Sequence, residues 1–259
     1  MVATSLVENR LTVCGLSKSF QSNQILDSLD LTVAPKETIA IIGRSGSGKS
    51  TLLRCINLLE QPDVGDIFLD NQLYVSGQET FYQPWEIRRN IALVFQDFNL
   101  FPNMTVLKNI AFALRKTRGV KKKQALERAE YAAKSLGIEN VISSYPQSLS
   151  GGQAQRCALA RAMVLEPKIF LLDEITSALD PETVLNVVDA IRDLRTVDGA
   201  DDMAIIVVTH LMHFAENFAD RICFLHDGKI HEELPANEFF RNCKKPETKR
   251  FINAHLNSY

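Results

Sequence analysis

The sequence predicts an α/β fold: a mostly parallel sheet core, an antiparallel β region beside it, and a helical segment inserted into it. Three observations carry this. Short apolar runs at Thr38–Ile42, Ile169–Leu172 and Ala204–Val208 are continuous rather than alternating, as strands of a parallel sheet covered on both faces should be. Helical patterns lie between such runs. One of them places Val184, Val187, Val188, Ile191 and Leu194 in an apolar stripe after the start signal Asp180-Pro181. Third, two regions break the alternation of strand and helix.

The first of these regions, roughly residues 1–35 with 64–95, holds Thr, Val, Ile and aromatic segments with turn residues such as Asp70-Asn71, which predicts antiparallel strands. The second, roughly 97–155, carries Leu126, Ala129, Ala133 and Leu136 on one helix face and Glu130 four residues before Lys134 on another, which predicts a helical insertion. Asp227-Gly228 reads as a hairpin turn. From Pro235 onward the tail is mostly charged and helical in pattern.

At 259 residues, with no internal repeat, the chain is expected to form a single domain. Residues 1–96 and 156–259 would make the core with its antiparallel β subdomain, and 97–155 the helical subdomain. Apolar residues at 46% and charged residues at 23% suit an ordinary globular protein. Lys plus Arg, 29, nearly cancels Asp plus Glu, 31, so no strong field draws the chain to nucleic acid or anionic lipid. The five cysteines, Cys14, Cys55, Cys157, Cys223 and Cys243, show no CxxC and no metal-ligand spacing, which fits a reducing cytoplasm. No signal-peptide pattern opens the sequence, and its longest apolar runs are far too short to span a bilayer. Any link to a membrane is therefore expected to run through a partner.

Gly43-Arg44-Ser45-Gly46-Ser47-Gly48-Lys49-Ser50 fits the pattern G-x-x-x-x-G-K-[ST] between a strand-like run and the helix-like Thr51-Leu52-Leu53-Arg54. Glycines there let backbone N–H groups close around a β-phosphate at a helix N-terminus. Lys49 would put a point charge on the β- and γ-phosphates, and the Ser50 hydroxyl would ligate Mg²⁺. By average residue frequencies such a string arises by accident in about one chain in a hundred of this length, and the strand–loop–helix context makes accident rarer still.

Ile169–Leu172 runs into Asp173-Glu174. Neighbours in a strand point to opposite faces, so the two carboxylates can hold different jobs. Asp173 would hold Mg²⁺, and Glu174 would act as general base on the attacking water. Alone, the pair reads equally well as two acids opening a loop.

Leu149-Ser150-Gly151-Gly152-Gln153 precedes a helical pattern with Ala158, Ala162 and Leu165; five specified residues recur by chance at about 10⁻⁶ per window. The string resembles the signature motif of the ATP-binding cassette (ABC) transporter ATPases. Ser and Gly at a helix N-terminus make a second anion site, which a chain already holding phosphate at Lys49 does not itself need. In the family it completes the nucleotide pocket of the other subunit.

The resemblance covers nearly the whole chain and implies a P-loop NTPase with a RecA-like parallel-sheet core. It assigns ATP contacts to Phe20, by stacking on adenine, to the loop Gly43 through Thr51, and to Ser150, Gly151, Gly152 and Gln153. It assigns Gln96 to sensing Mg²⁺ and the attacking water, Asp180 of Ser177-Ala178-Leu179-Asp180 to coupling the two sites, and His210 to the γ-phosphate. Taken singly, Phe20 reads as core, Gln96 as a solvated loop residue, Asp180 as a helix cap and His210 as a strand-end histidine; the family order assigns them together. Three positions depart from the family: Ile175 stands for a usual Pro, Ala154 for a frequent Gln and Leu211 for a frequent Glu. None removes a proposed catalytic group.

Such single-cassette chains pair with a second copy or a homologous ATPase subunit. They bind transmembrane permease subunits at the cytoplasmic face of the membrane and serve an extracytoplasmic substrate-binding protein. The stretch Val94–Ile110, with Glu238-Phe239-Phe240 and Pro246–Phe251 near the end, is similar to importers of polar amino acids. Two other readings stay open at this point. One is an ABC ATPase regulating a cell-envelope or translation machine; the other is a small-molecule P-loop kinase, which the signature string and Asp173-Glu174 disfavour.

Overall fold

The computed structural model describes residues 9–174 and 202–256. The chain divides into two units, Met1–Ile87 with Ala204–Tyr259, and Arg88–Met203. In the first unit, β1 (Leu11–Phe20) and β2 (Asn23–Val33) run antiparallel. Leu11, Val13 and Leu16 of β1 and Leu26, Leu29, Leu31 and Val33 of β2 are buried. β1 also pairs with β4 (Val64–Leu69), and β4 with β5 (Gln72–Ser76). The turn between them is Asp70-Asn71, at φ 50° and 61°; two successive positive φ values match the right-handed twist of the flanking strands. β6 (Glu79–Thr80) completes the order β2-β1-β4-β5-β6.

The expected antiparallel stretch stops there rather than at residue 95. Pro84 opens a short helix, α2 (Pro84–Asn90), with Glu86 in its first turn, because Pro fits the first helical position and an acid favours the N-terminal dipole. Ile91–Val94 then forms β7, which lies in parallel, not antiparallel, pairing. Its unbroken apolar run is the signature of that environment.

The first unit also carries β3 (Thr38–Ile42), β9 (Ala204–Val208), β10 (Arg221–His226) and β11 (Lys229–Pro235). Every residue of β3 and β9 is buried, and the two run parallel from Thr38↔Ile205 to Ile41↔Val208. β10 lies parallel to β3 on its other side and antiparallel to β11. The β10–β11 turn is Asp227-Gly228, at φ 46° and 74°. It docks on β2: the Asp27 N–H donates to the Gly228 carbonyl at 3.1 Å and Lys229 pairs with Asp27 at 2.8 Å. Helix α6 (Met212–Phe218) lies between β9 and β10, and α7 (Ala236–Asn242) and α8 (Pro246–Leu256) make the helical tail that the pattern predicts from Pro235 onward.

The first unit also holds α1 (Lys49–Ile56). In the second unit β7 pairs with β8 (Ile169–Asp173), and the helices are α3 (Val106–Thr117), α4 (Lys122–Ser135) and α5 (Gly151–Met163). Thr105 caps α3 by accepting from the Lys108 N–H. The buried face of α4 is Ala125, Ala129, Ala132 and Ala133, followed by Leu136, while Leu126 is half-buried; small side chains let α4 lie close to α3. The helix predicted over Val184–Leu194 lies outside the described residues. Four cysteines are buried, and burial pushes the thiols of Cys55 and Cys157 up to about 12, which makes them packing groups rather than nucleophiles.

Gly137 and Gly228 separate two reasons for glycine. Gly137 ends α4 at φ 62° with open space around a would-be Cβ, whereas at Gly228 that Cβ would meet the Ile25 carbonyl at 2.7 Å. Gly137→Ala should cost only the left-handed strain, about 1 kcal/mol, and Gly228→Ala roughly twice that or more. Urea unfolding of the two variants measures the difference; equal losses would show that the β10–β11 turn is not packed on β2.

Candidate functional site

In the first unit the chain leaves β3 at Ile42 and bends through residues 43–48 into α1. Gly48 is the N-cap, at φ 104°, with no side-chain cap on the helix. A Cβ there would lie 2.9 Å from the Ile25 carbonyl, so β2 presses the loop into a form that only glycine accepts. Lys49 is buried, and its Nζ donates to the Gly43 and Arg44 carbonyls at 2.9 Å each. The hydroxyl of Ser47 is buried with no hydrogen-bond partner. Arg44, Ser45 and Gly46 are exposed, and nothing lies within 4 Å of a would-be Cβ on Gly46. A buried ammonium, an orphan hydroxyl and an uncapped helix start around open space make a site fit for phosphate. Ser50 and Thr51 stand half-buried in the first turn of α1, where the Ser50 hydroxyl is a hard oxygen donor of the kind Mg²⁺ takes.

Two more predicted residues belong to this unit. The Thr209 N–H donates to the Ile41 carbonyl at 3.4 Å, and the Leu211 N–H to Thr209 Oγ1 at 3.0 Å. His210, half-buried, therefore follows β9 at the same end of the sheet at which Gly43 follows β3. Leu211 leaves α6 without a side-chain cap. Phe20 is 42% exposed and pairs with Asn23 at the tip of the hairpin whose Ile25 touches the loop at Gly48. Lys18 Nζ lies 5.2 Å from its ring centroid and is itself held by the Gln61 carbonyl at 2.7 Å and by Asp63 at 3.3 Å. Phe20 is thus a ring displayed at the surface, not a core residue.

The second unit holds the rest. Val94 of β7 pairs with Leu172 of β8, so Gln96 and Asp173-Glu174 leave adjacent parallel strands at the same end. Asp173 is buried, Glu174 half-buried and Gln96 exposed. The alternation of a strand was expected to separate the two carboxylates. Instead β8 ends at Asp173 and Glu174 turns off at φ 52°, a left-handed conformation that costs a side chain strain and that persists where the surroundings fix it.

Ser150 caps α5. Its Oγ accepts from the Gln153 N–H at 3.3 Å, and Gln153 Oε1 accepts from the Ser150 N–H at 3.0 Å, a full capping box. Ser150 and Gly151 are exposed and Gly152 and Gln153 half-buried. Nothing lies within 4 Å of a would-be Cβ on Gly151. The S-x-x-Q spacing of this box stands in the sequence but was read there only as an anion site. Asp180, the segment around it and Ile175 lie outside the described residues. Also unforeseen are Asn109, fully buried with four amide bonds to the backbone of Phe101, Met104 and Thr105, and Arg161, which binds the carbonyls of Phe98 and Asn99. Among the described residues no three His, Cys, Asp or Glu gather into a metal cage, so a divalent ion would take further ligands from phosphate and water.

Residues 26–177 match the ABC transporter family. The chain is 45% identical over 242 residues to a glutamine transport ATP-binding protein of Geobacillus stearothermophilus, covering 93% of this chain and 97% of that one. It is 42% identical over 251 residues to an L-cystine transport system ATP-binding protein of Escherichia coli, covering 95% and 98%. Among solved structures it is similar, at TM-score 0.78 and 32% identity, to an ATP-binding cassette seen as a dimer in a post-hydrolysis state with ADP and Pi, covering 87% of this chain and 98% of that one.

Lys49→Ala removes the ammonium from the bend and should weaken binding of a fluorescent ATP analogue by about ten- to a hundredfold, the scale of lost charged hydrogen bonds. Affinity equal to the wild type in that titration would remove residues 43–51 as the phosphate site.

Proposed function

This chain belongs to the ABC transporter family, and we propose that it is the ATP-hydrolysing subunit of an importer of polar amino acids, working as half of a nucleotide-sandwich dimer. The observation that carries the reading is the exposed, boxed N-terminus of α5 at Ser150-Gly151, a second anion-binding helix end in a chain whose Lys49 loop already forms one. A second copy supplies what that end would bind. The dimeric cassette with ADP and Pi supports this arrangement.

Each side chain then has a task. The loop 43–51 grips the triphosphate, with Lys49 neutralising β- and γ-oxygens and Phe20 stacking on adenine. Ser50 and Asp173 would hold Mg²⁺, which neutralises phosphate charge when bound. Glu174 takes the proton of a water whose oxygen forms a bond to the γ-phosphorus as the bond to the β-phosphate oxygen breaks. Gln96 orients that water, His210 donates to the γ-phosphate, and Ser150 with Gly151, Gly152 and Gln153 binds the γ-phosphate of the partner's ATP. Asp180 couples the two sites.

Loss of the γ-phosphate removes the group held by each Ser150, so the dimer opens and the permease switches face. Among the described residues no helix is long and apolar enough to cross a membrane. The chain acts on a permease from the cytoplasmic face, a reading supported by the transport-system ATP-binding proteins it resembles. The amino-acid class rests on the glutamine and L-cystine transport proteins it resembles. The permease and an extracytoplasmic binding protein choose the substrate. Co-purification of a permease favours this reading over an ABC ATPase that regulates another machine.

Glu174→Gln should bind ATP normally and hydrolyse it slower by a factor on the order of 10², the scale of a general base; unchanged turnover in a phosphate-release assay would make Glu174 a loop acid only.

The sandwich itself is tested by mixing differently tagged Ser150→Arg and Lys49→Ala chains. Each homodimer lacks a whole site, while the mixed dimer has one, in which the intact loop of the first chain faces the intact Ser150 of the second. ATP should therefore bring the two tags together above the level of either variant alone, because a nucleotide bound across the interface stabilises it whether or not it is cleaved. If wild-type chains associate with ATP and the mixture does not, Ser150 and Lys49 do not meet across subunits.

A further inference from the structure

Arg161 has no part in the roles given above, yet its contacts are specific. It lies in the last turn of α5. Nη1 donates to the Asn99 carbonyl at 2.6 Å and Nη2 to the Phe98 carbonyl at 2.8 Å. The guanidinium also lies 5.8 Å from the centroid of the Phe101 ring, which packs edge-on to Phe112 at 5.0 Å. The two carbonyls belong to consecutive residues in the left-handed region, Phe98 at φ 57° and Asn99 at φ 46°. Two bulky or polar side chains in a row do not hold that conformation unless something fixes them. A planar fork with donors at fixed separation suits two adjacent carbonyls, whereas an ammonium acts as a single point. The far end of the same loop is tied to α3, where Asn109 accepts from the Phe101 N–H at 2.8 Å and donates to the Met104 carbonyl at 3.0 Å.

The loop so held begins two residues after Gln96. The helix that holds it is capped by Ser150. Arg161 lies eleven residue steps along the helix from Ser150, a rigid span of roughly 16 Å at 1.5 Å per residue. We propose that Arg161 is a positioning residue: it locks the turn after Gln96 to α5, so that Gln96 keeps its place in hydrolysis and any displacement of the Ser150 end of the helix reaches Gln96. The inference rests on the roles proposed above for Gln96 and Ser150. Packing alone would give Arg161 a different signature, a loss of stability with no selective effect on turnover.

Steady-state ATP hydrolysis separates the two, measured on the purified chain for the wild type, Arg161→Met, Arg161→Lys, Gln96→Ala and the Gln96→Ala/Arg161→Met double variant, with amide hydrogen exchange over residues 97–101. Arg161→Met should lower kcat by about ten- to a hundredfold, the cost of a misplaced catalytic group, with KM within about twofold of the wild type. Arg161→Lys should fall between, and the amides of 97–101 should exchange faster in both. The double variant should be no slower than Gln96→Ala beyond about twofold, since Arg161 acts through Gln96. Should Arg161→Met unfold, Arg161→Lys and its exchange pattern decide. Gln96→Ala slowed beside an Arg161→Lys with wild-type kcat and wild-type protection overturns the inference alone, as do losses that multiply in the double variant. A wild-type kcat for Gln96→Ala overturns the role of Gln96 and the inference with it.

Discussion

A lysine ammonium taken almost out of water at the end of β3 is the constraint around which the first unit is arranged. Lys49 is 5% exposed, and an ammonium in that position costs several kcal/mol unless it is bonded, roughly the scale of moving an ion out of water in a protein. The Gly43 and Arg44 carbonyls meet it at 2.9 Å, and to do so the chain must fold back on itself within six residues. That bend brings Gly48 against the carbonyl of Ile25, so no Cβ is admitted there. It also requires β3 to end at a fixed level, which its parallel neighbours β9 and β10 set. The tight loop, the glycine and the all-apolar strand are thus consequences of where one charge is held.

How much of this was legible in the sequence depends on the range of the interaction concerned. β3 and β9 coincide with their apolar runs, and the turns Asp70-Asn71 and Asp227-Gly228 lie where those dipeptides stand, because continuous burial and positive φ leave marks on the residues themselves. α2 and β7 were misread as more antiparallel strand. Pro84 and Glu86 signal a helix start, and Ile91–Val94 is an unbroken apolar run, but both are short and the region before them is truly antiparallel. The capping box of Ser150 and Gln153 was readable by spacing alone. Arg161 was not, since its partners are backbone carbonyls about sixty residues away, and a carbonyl has no letter in the sequence.

The same distinction applies to the strained positions. Nothing in the identities of Phe98, Asn99 or Glu174 announces a left-handed backbone, and only asparagine among them tolerates it with any ease. Glu174 adopts it immediately after β8, at φ 52°, and Phe98 and Asn99 adopt it four and five residues after β7, at φ 57° and 46°. Such a residue costs about 1–2 kcal/mol, so three of them amount to a sizeable fraction of a domain's net stability.

Strain of that size persists where packing outweighs it, and the outweighing contacts can be named for the Phe98–Asn99 turn: the two bonds from Arg161, with the far end of the loop at Phe101 and Met104 held by Asn109. At charged-donor strength, about 1.5–3 kcal/mol per bond at most, the Arg161 pair alone is of the order needed to hold two left-handed residues. The balance is close by construction. A turn held by a surplus far larger than its strain could not follow a moving helix, and one held by less would not keep a single form. The Phe98–Asn99 turn lies between those limits, tied to α5 by a rigid fork and to α3 by a buried amide, so a shift of either helix changes the geometry at which its strain is balanced. Gln96, exposed and two residues upstream, is the side chain that such a change reaches under the positioning role proposed for Arg161.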